Sequence, residues 1–73
     1  MEDNNRSKKV STGTVKFFKK EKGYGFIVSD KDKEEFFAHI TMCKEELESG
    51  NRVIFEESIN KKGKTAINIQ KLE

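Results

Sequence analysis

The amino-acid sequence predicts an all-β domain: a small antiparallel barrel of five strands, with at most one short helical turn between the third and fourth strands. Five short segments rich in β-branched and aromatic residues are separated by turns that contain glycine or clustered charge. A chain of 73 residues holds one domain at most. A barrel is favoured over an open sheet because closure removes the exposed strand edges.

The first two predicted strands flank a lysine-rich turn. Thr14–Phe18 has the β-branched and aromatic composition of a strand, and Lys19–Gly23 follows it as a turn. Tyr24–Ser29 is the second strand, in which rings alternate with glycines that leave the ring faces uncovered. Residues 1–12 are polar and contain almost nothing to bury, so we expect a flexible N-terminal extension before a domain that spans residues 13–73.

Three more strands follow in the rest of the chain. The third strand, Glu35–His39, comes after the charged loop Asp30–Glu34. Thr41–Ser49 is predicted to hold one helical turn, because Gly50 is a helix stop signal. The last two strands form a hairpin with these bounds: Arg52–Ile59, a turn at Asn60–Gly63, and Lys64–Lys71.

Alternation within the strands predicts which side chains are buried, because every second residue of a strand points to the same face. One face carries four rings: Tyr24, Phe26, Phe37 and His39. The opposite face collects a predicted core of about eight apolar residues, namely Val15, Ile27, Phe36, Ala38, Val53, Phe55, Ile67 and Ile69. This core leaves several rings without an interior place, so an exposed aromatic cluster is expected.

Phe17 and Phe18 do not fit this alternation, because adjacent residues of a strand point to opposite faces. Either one of the two rings belongs to the core, or a β-bulge lets both reach the outer surface. The bulge is favoured, since Val15 already supplies the inward position of this strand.

Rings that alternate with glycines between lysines predict a surface for single-stranded nucleic acid. Unstacked bases lie on aromatic rings, and lysines hold the phosphates between the bases. The net charge is only +2, but residues 6–22 carry seven basic groups against one acidic group, and residues 45–57 carry five acidic groups against one basic group. A second basic tip consists of Lys61, Lys62 and Lys64. This uneven charge would orient a polyanion toward one side of the domain.

Other classes of function lack the residues that they require. No apolar run is long enough for a membrane span or a signal peptide, and the single cysteine, Cys43, allows no internal disulfide, so we expect a cytoplasmic protein. We also expect a monomer. His39 and Cys43 are too few to complete a tetrahedral metal site. Gly63-Lys64-Thr65 looks like the end of a phosphate-binding loop, but Ser58 stands where that loop needs glycine. Carboxylates lie in charged runs rather than as a pair in an apolar pocket, so neither an enzyme nor a cofactor is expected.

Four blocks of sequence, in order, resemble the bacterial cold-shock proteins. They are Gly13–Phe18, Lys22–Ile27, Phe37–His39 and Ala66–Ile69. The two middle blocks look like the ribonucleoprotein-type motifs of that family, and the resemblance covers residues 13–71. It implies an OB-type barrel that binds single-stranded RNA and DNA without ATP, in proteins that act as RNA chaperones and as regulators of transcription and translation.

The resemblance also implies which residues bind. Bases would stack on six rings, and two lysines would contact the backbone: Phe17, Phe18, Tyr24, Phe26, Phe37 and His39, with Lys16 and Lys22.

The chain departs from the family pattern at both ends of this aromatic surface. Phe17 stands where tryptophan is usual, Lys19 where asparagine is usual, and Ile40 where an aromatic residue is often found. The connection from His39 to Leu47 is also shorter than in the family and carries no aromatic residue or glycine. Because stacking contributes roughly 1–3 kcal/mol per base, these changes predict an affinity nearer micromolar than nanomolar.

A protein-interaction module is the alternative from another class of function. It would keep the barrel and use the aromatic surface to dock a partner protein, and the acidic stretch from Glu45 to Glu57 is compatible with this. Alanine at Phe26 and Phe37 separates the two hypotheses, because only nucleic-acid binding requires that these substitutions abolish the capture of an oligonucleotide.

Overall fold

The computed structural model describes residues 9–61 and 63–72, and these residues form a closed five-stranded barrel, as expected for an OB-type fold. The strands are β1 (Lys9–Lys19), β2 (Tyr24–Ser29), β3 (Glu35–His39), β4 (Arg52–Asn60) and β5 (Gly63–Lys71). Around the barrel they stand in the order β1-β2-β3-β5-β4. The predicted fold class is confirmed. The bounds of β2 and β3 agree with the prediction, and β4 and β5 each extend one residue farther.

One seam of the barrel is parallel, although the sequence analysis predicts antiparallel pairing. The β1–β2, β1–β4, β2–β3 and β4–β5 seams are antiparallel. β3 and β5 run parallel, with Phe37 opposite Thr65 and Ala38 opposite Ala66. Strand directions cannot alternate all the way round a ring with an odd number of strands, so closure of this barrel requires at least one parallel seam.

β1 begins at Lys9, five residues before the predicted start. Its first half pairs with β4, from Lys9 opposite Glu57 to Thr14 opposite Arg52. No apolar alternation marks this segment, because the inward position belongs to a serine: Ser11 is only 8% exposed. Residues 9–12 are therefore part of the barrel rather than of a flexible extension, and residues 1–8 of that predicted extension lie outside the described residues.

A β-bulge in β1 determines the direction of Phe17. Val15 lies opposite Ile27 and Phe17 lies opposite Phe26, so Lys16 is an extra residue between two register positions. Val15 faces the core with 2% exposure, whereas Lys16 and Phe17 both lie on the outer face. The predicted bulge is present, but the expectation that it brings both rings to the outer surface is wrong for Phe18, which packs against the core.

The barrel encloses one apolar core that contains nearly all of the predicted residues. Its members are Val15, Ile27, Phe36, Ala38, Leu47, Val53, Phe55, Ala66 and Ile69. Two rings lie at its centre: Phe36 and Phe55 contact each other with centroids 5.2 Å apart. Leu47 and Ala66 join the core without having been predicted.

The prediction for Ile67 is wrong, because β5 contains a second bulge. Between β4 and β5 the register slips, so that Asn68 and Ile69 together lie opposite Phe55. Asn68 has a φ of 51°, a left-handed conformation that asparagine tolerates better than most residues. The extra residue reverses the alternation: Ile69 faces the core, and Ile67 lies on the outer side opposite Glu56.

The connection between β3 and β4 contains one short 3₁₀ turn, Ile40–Met42. It lies at the start of the region where a helical turn is predicted. Farther along, Leu47 is 1% exposed and fills part of the core, and Gly50 adopts a φ of 90° before β4 begins. Among residues 9–61 and 63–72, no helix has the length and hydropathy needed to cross a lipid bilayer.

Candidate nucleic-acid interface

The outer face of β1, β2 and β3 presents side chains in three rows of cross-strand neighbours. The rows are Lys19, Tyr24 and His39; Phe17, Phe26 and Phe37; and Thr14, Val28 and Glu35. Successive rows are about 7 Å apart along the strands, because each residue advances a strand by about 3.4 Å. The five rings of the first two rows, Phe17, Tyr24, Phe26, Phe37 and His39, form what we call the aromatic platform.

The rings of the aromatic platform hold one another in place. The centroid distances are 5.6 Å for Phe17–Phe26, 5.7 Å for Phe26–Phe37, 5.8 Å for Tyr24–Phe37 and 6.3 Å for Phe37–His39. These values lie in the range in which aromatic pairs attract. His39 is exposed and the other four rings are half-buried, so each ring keeps a surface toward solvent while its neighbours restrict its motion.

Phe18, the sixth ring predicted to bind, lies apart from the aromatic platform. It is opposite the buried Gly25 and packs against the core. β1 lies so close to Gly25 that any larger residue would clash with it: a Cβ at this position would be 2.8 Å from the Cα of Phe18. The glycine between two platform rings is thus required by the packing of β1, and not by the exposure of the rings as the sequence analysis proposes.

The two lysines predicted to contact phosphates differ in their surroundings. Lys16 forms an ion pair with Glu35, with 2.8 Å between Nζ and Oε2. Lys22 lies in the β1–β2 turn and makes no ion pair with any other residue in the described part of the chain. Lys19, which was not predicted to bind, places its Nζ 5.9 Å from the centroid of the Phe17 ring.

A groove lies beside the aromatic platform, and no pattern in the sequence predicts it as part of the site. Phe26, Glu35 and Phe37 form one wall, and the β4–β5 hairpin forms the other with Asn60, Lys61, Lys64 and Thr65. The parallel β3–β5 seam brings the hairpin to this position. The sequence shows a basic tip at residues 61–64, but no local pattern indicates that this tip adjoins Phe37, and Lys62 lies outside the described residues.

His39 is anchored at one edge by the turn that follows it. Its Nδ1 lies 2.9 Å from Thr41 Oγ1 and accepts a hydrogen bond from the Thr41 N–H at 3.2 Å. Cys43 directs its thiol to the carbonyl oxygen of His39, at 3.5 Å, and burial raises the pKa of this thiol. Within residues 9–61 and 63–72, no three His, Cys, Asp or Glu side chains gather as metal ligands.

The basic and acidic runs of the sequence meet at Lys20. Its Nζ lies 3.5 Å from a carboxylate oxygen of Glu46 and 3.7 Å from one of Glu48. The connection between β3 and β4 therefore lies close to the β1–β2 turn, and the charge separation predicted from the sequence is incomplete. Exposed pairs of this kind contribute little to stability, but they reduce the positive charge available beside the aromatic platform.

Comparison with known proteins identifies relatives over most of the chain. Residues 11–72 match the model of the family described as the 'Cold-shock' DNA-binding domain. A major cold shock protein of Micrococcus luteus is 39% identical over 67 residues, which are 86% of this chain and 100% of that protein. A cold shock-like protein of Bordetella pertussis, CspA, is 39% identical over 65 residues, which are 84% of this chain and 97% of that protein.

A solved structure resembles the barrel as well. The structure described as drosophila Unr CSD456 superimposes with a TM-score of 0.75 at 26% sequence identity, over 92% of this chain and 28% of that longer chain.

Proposed function

Because this chain belongs to the cold-shock DNA-binding domain family, we propose that it binds single-stranded RNA and DNA, without ATP and without catalysis. The observation that carries the proposal is the aromatic platform: five rings in mutual contact on one face of β1, β2 and β3. A surface of this kind suits unpaired bases, since every base has a face that can stack on a ring.

The proposed mechanism is passive stacking on rings whose positions are already fixed. Phe26 and Phe37 occupy the centre of the aromatic platform, where each touches two or more other rings. A base that stacks there gains roughly 1–3 kcal/mol, and little entropy is lost because the rings are already restricted by their neighbours. Phe18 has no part in this mechanism, since it packs against the core.

Lysines around the aromatic platform would hold the phosphates. Lys19, Lys22 and Lys61 extend from the end of β1, the β1–β2 turn and the β4–β5 hairpin, and Lys16 joins them when it leaves Glu35. Only a few phosphates are neutralised by so small a set, which supports an affinity nearer micromolar than nanomolar.

The proposed role in the cell follows from a preference for open strands. A protein that binds an unpaired strand but not a hairpin shifts the folding equilibrium of RNA by mass action. This is the activity of an RNA chaperone, and it can regulate transcription or translation where a hairpin controls either process. We propose that the protein performs it in the cytoplasm as a monomer.

Fluorescence anisotropy with labelled heptathymidine tests the proposal. We expect saturable binding by the unmodified protein, much weaker binding of a hairpin whose stem has a similar length, and loss of binding in Phe26→Ala. Tyr24→Ala and His39→Ala, at the more exposed end of the aromatic platform, are expected to weaken binding without unfolding the barrel.

Ile59→Ala is the matched control, because Ile59 is 78% exposed and lies outside the aromatic platform. Thermal melting of each variant separates lost binding from lost folding. If the unmodified protein fails to bind heptathymidine at low salt, or if the folded Phe26→Ala protein binds it equally well, the proposal is wrong and the docking of a partner protein becomes the better hypothesis.

A further inference from the structure

The ion pair between Lys16 and Glu35 spans the outer face at one end of the aromatic platform. Lys16 is the bulged residue of β1 and Glu35 opens β3, so the pair passes over β2 beside Val28. The two side chains are 52% and 49% exposed. An ion pair this exposed is easily opened by a competing charge. In the free protein, however, the ion pair holds the Glu35 carboxylate on the outer face next to the row of Phe17, Phe26 and Phe37.

A second ion pair repeats this arrangement on the neighbouring hairpin. Lys64 of β5 pairs with Glu34, the residue just before Glu35, and the two side chains are 44% and 43% exposed. Lys64 and Glu35 line the same groove beside Phe26 and Phe37. Lys16 and Lys64 are thus both already paired with acidic residues of this chain, whereas Lys61 of the same groove forms no ion pair with any residue in the described part of the chain.

Neutralised lysines affect the two forms of nucleic acid differently. The bases of a duplex are stacked inside it, where rings on a protein surface cannot reach them. The attraction of a duplex to the aromatic platform therefore depends on the charge of its phosphates. A single strand also offers unpaired bases to the rings. A carboxylate that forms an ion pair with a lysine keeps that lysine from contacting phosphate. The affinity for a duplex therefore falls by a larger share than the affinity for a single strand.

We propose that Glu35 sets the selectivity of the aromatic platform for single strands over duplexes, by holding Lys16 in an internal ion pair and by repelling phosphates at that end of the platform. This inference rests on the proposed function, since it concerns how the same surface distinguishes two forms of nucleic acid. Glu35 acts through charge and not through contact with a base.

Glu35→Gln tests the inference, because glutamine keeps the shape of the side chain and removes its charge. The matched control is Glu45→Gln, which changes the net charge equally but lies outside the groove. The Glu45 carboxylate accepts a hydrogen bond from the Lys71 N–H at 3.2 Å, and a glutamine oxygen can accept the same bond. Anisotropy titrations with heptathymidine and with the hairpin, at several salt concentrations, give the affinities and their salt dependence.

For Glu35→Gln we expect heptathymidine to bind roughly two- to fivefold more tightly, the range that one exposed charge pair can supply. The hairpin should gain more than this, so that the ratio of the two affinities falls. The logarithmic salt slope should steepen by about 0.7 for the single strand, as expected for one more phosphate contact. Glu45→Gln should change neither the ratio nor the slope.

Lys16→Gln in both backgrounds completes a double-mutant cycle. Loss of Lys16 should weaken binding more when Glu35 has been replaced, because the lysine is then free to contact phosphate. The inference is overturned if Glu35→Gln behaves like Glu45→Gln, if both ligands gain equally, or if Lys16→Gln has the same effect in both backgrounds. A failure of the proposed function would give a different result: the unmodified protein would not bind heptathymidine, or Phe26→Ala would bind it as tightly as the unmodified protein. In that case both proposals fail.

Discussion

Phe17 of β1 lies against Phe26 of β2, with the ring centroids 5.6 Å apart. The contact exists because Lys16 is an extra residue in the register of the two strands. With strict alternation from the inward Val15, Phe17 would point into the core and Phe18 would point to solvent. One inserted residue thus determines which of two adjacent phenylalanines belongs to the aromatic platform.

Phe17→Trp is expected to tighten binding to heptathymidine. The indole adds roughly 40 Å² of apolar surface to a ring already on the outer face, which corresponds to about 1 kcal/mol or roughly fivefold in affinity. Quenching of the new tryptophan fluorescence on binding would report the stacking directly. Phe18→Trp is the control: the same change against the core should destabilise the fold by about 1–3 kcal/mol without tightening binding. The opposite pattern would mean that the bulge has been assigned to the wrong ring.

Gly25→Ala is expected to destabilise the barrel by about 3 kcal/mol, because its methyl group would press on the backbone of β1. Urea unfolding followed by circular dichroism measures the loss. Gly50→Ala should cost less, about 1 kcal/mol, since it has a φ of 90° but no atom within 4 Å of the added carbon. Equal costs at the two positions would contradict the close approach of β1 to Gly25.

Leu47→Ala is expected to cost about 2–5 kcal/mol, because the side chain is 1% exposed and its removal leaves a cavity. A domain of this size is stable by only a few kcal/mol, so thermal melting should show a variant that is largely unfolded at room temperature. Ile59→Ala, at a side chain with 78% exposure, should stay within about 0.5 kcal/mol of the unmodified protein. A well-folded Leu47→Ala variant would show that the β3–β4 connection is not part of the core.

Asp30→Asn is expected to reduce the loss of stability in acid. The hydrogen bond from Thr12, at 2.8 Å, and the Arg52 guanidinium, at 2.7 Å, hold the pKa of Asp30 below its ordinary value of 3.8. A lowered pKa in the folded state contributes stability that is present above the unfolded value and is lost as the pH falls through the folded value. The melting temperature should therefore drop less in Asp30→Asn than in the unmodified protein between about pH 7 and about pH 2.5.

Glu46→Gln is the control for this pH experiment, because the Glu46 side chain is 83% exposed. It should follow the unmodified protein across the same range. If Asp30→Asn also follows the unmodified protein, the contacts with Thr12 and Arg52 do not stabilise the barrel.

The affinity for heptathymidine is expected to fall with salt at a logarithmic slope near −2. Three lysines beside the aromatic platform form no ion pair within residues 9–61 and 63–72, namely Lys19, Lys22 and Lys61, and each phosphate neutralised on a single strand contributes about −0.7 to the slope. If Lys16 also contacts phosphate, the slope approaches −3. Titrations at several salt concentrations measure it, and an affinity independent of salt would exclude lysine contacts from the mechanism.

Sequence predicts this fold well wherever residues alternate regularly. β2 and β3 have the predicted bounds because each lies between two turns and pairs with its neighbour without a bulge. The bulge at Lys16 is also predictable, since Val15 already supplies the inward position of β1, but the inward direction of Phe18 is not. The bulge at Asn68 is not, because a polar residue between Ile67 and Ile69 fits simple alternation equally well.

The candidate site is predictable to the extent that it depends on residue types close together in the chain. Tyr24, Phe26, Phe37 and His39 are brought together as the residue pattern indicates. The wall formed by Lys61 and Lys64 could not be found in this way. It adjoins the rings only through the β3–β5 seam, which joins residues that are distant in sequence and carries no local signal.

If single strands bind as proposed, that seam also links binding to local opening of the barrel. β3 and β5 are joined only briefly, at Phe37–Thr65 and Ala38–Ala66, so among the strand pairings of the barrel this one should open most readily to amide hydrogen exchange. Phe37 belongs both to the seam and to the aromatic platform. An oligonucleotide stacked on Phe37 would favour the closed state. The decrease in the exchange rates of the Thr65 and Ala66 amides on binding would measure how much the oligonucleotide stabilises the closed barrel.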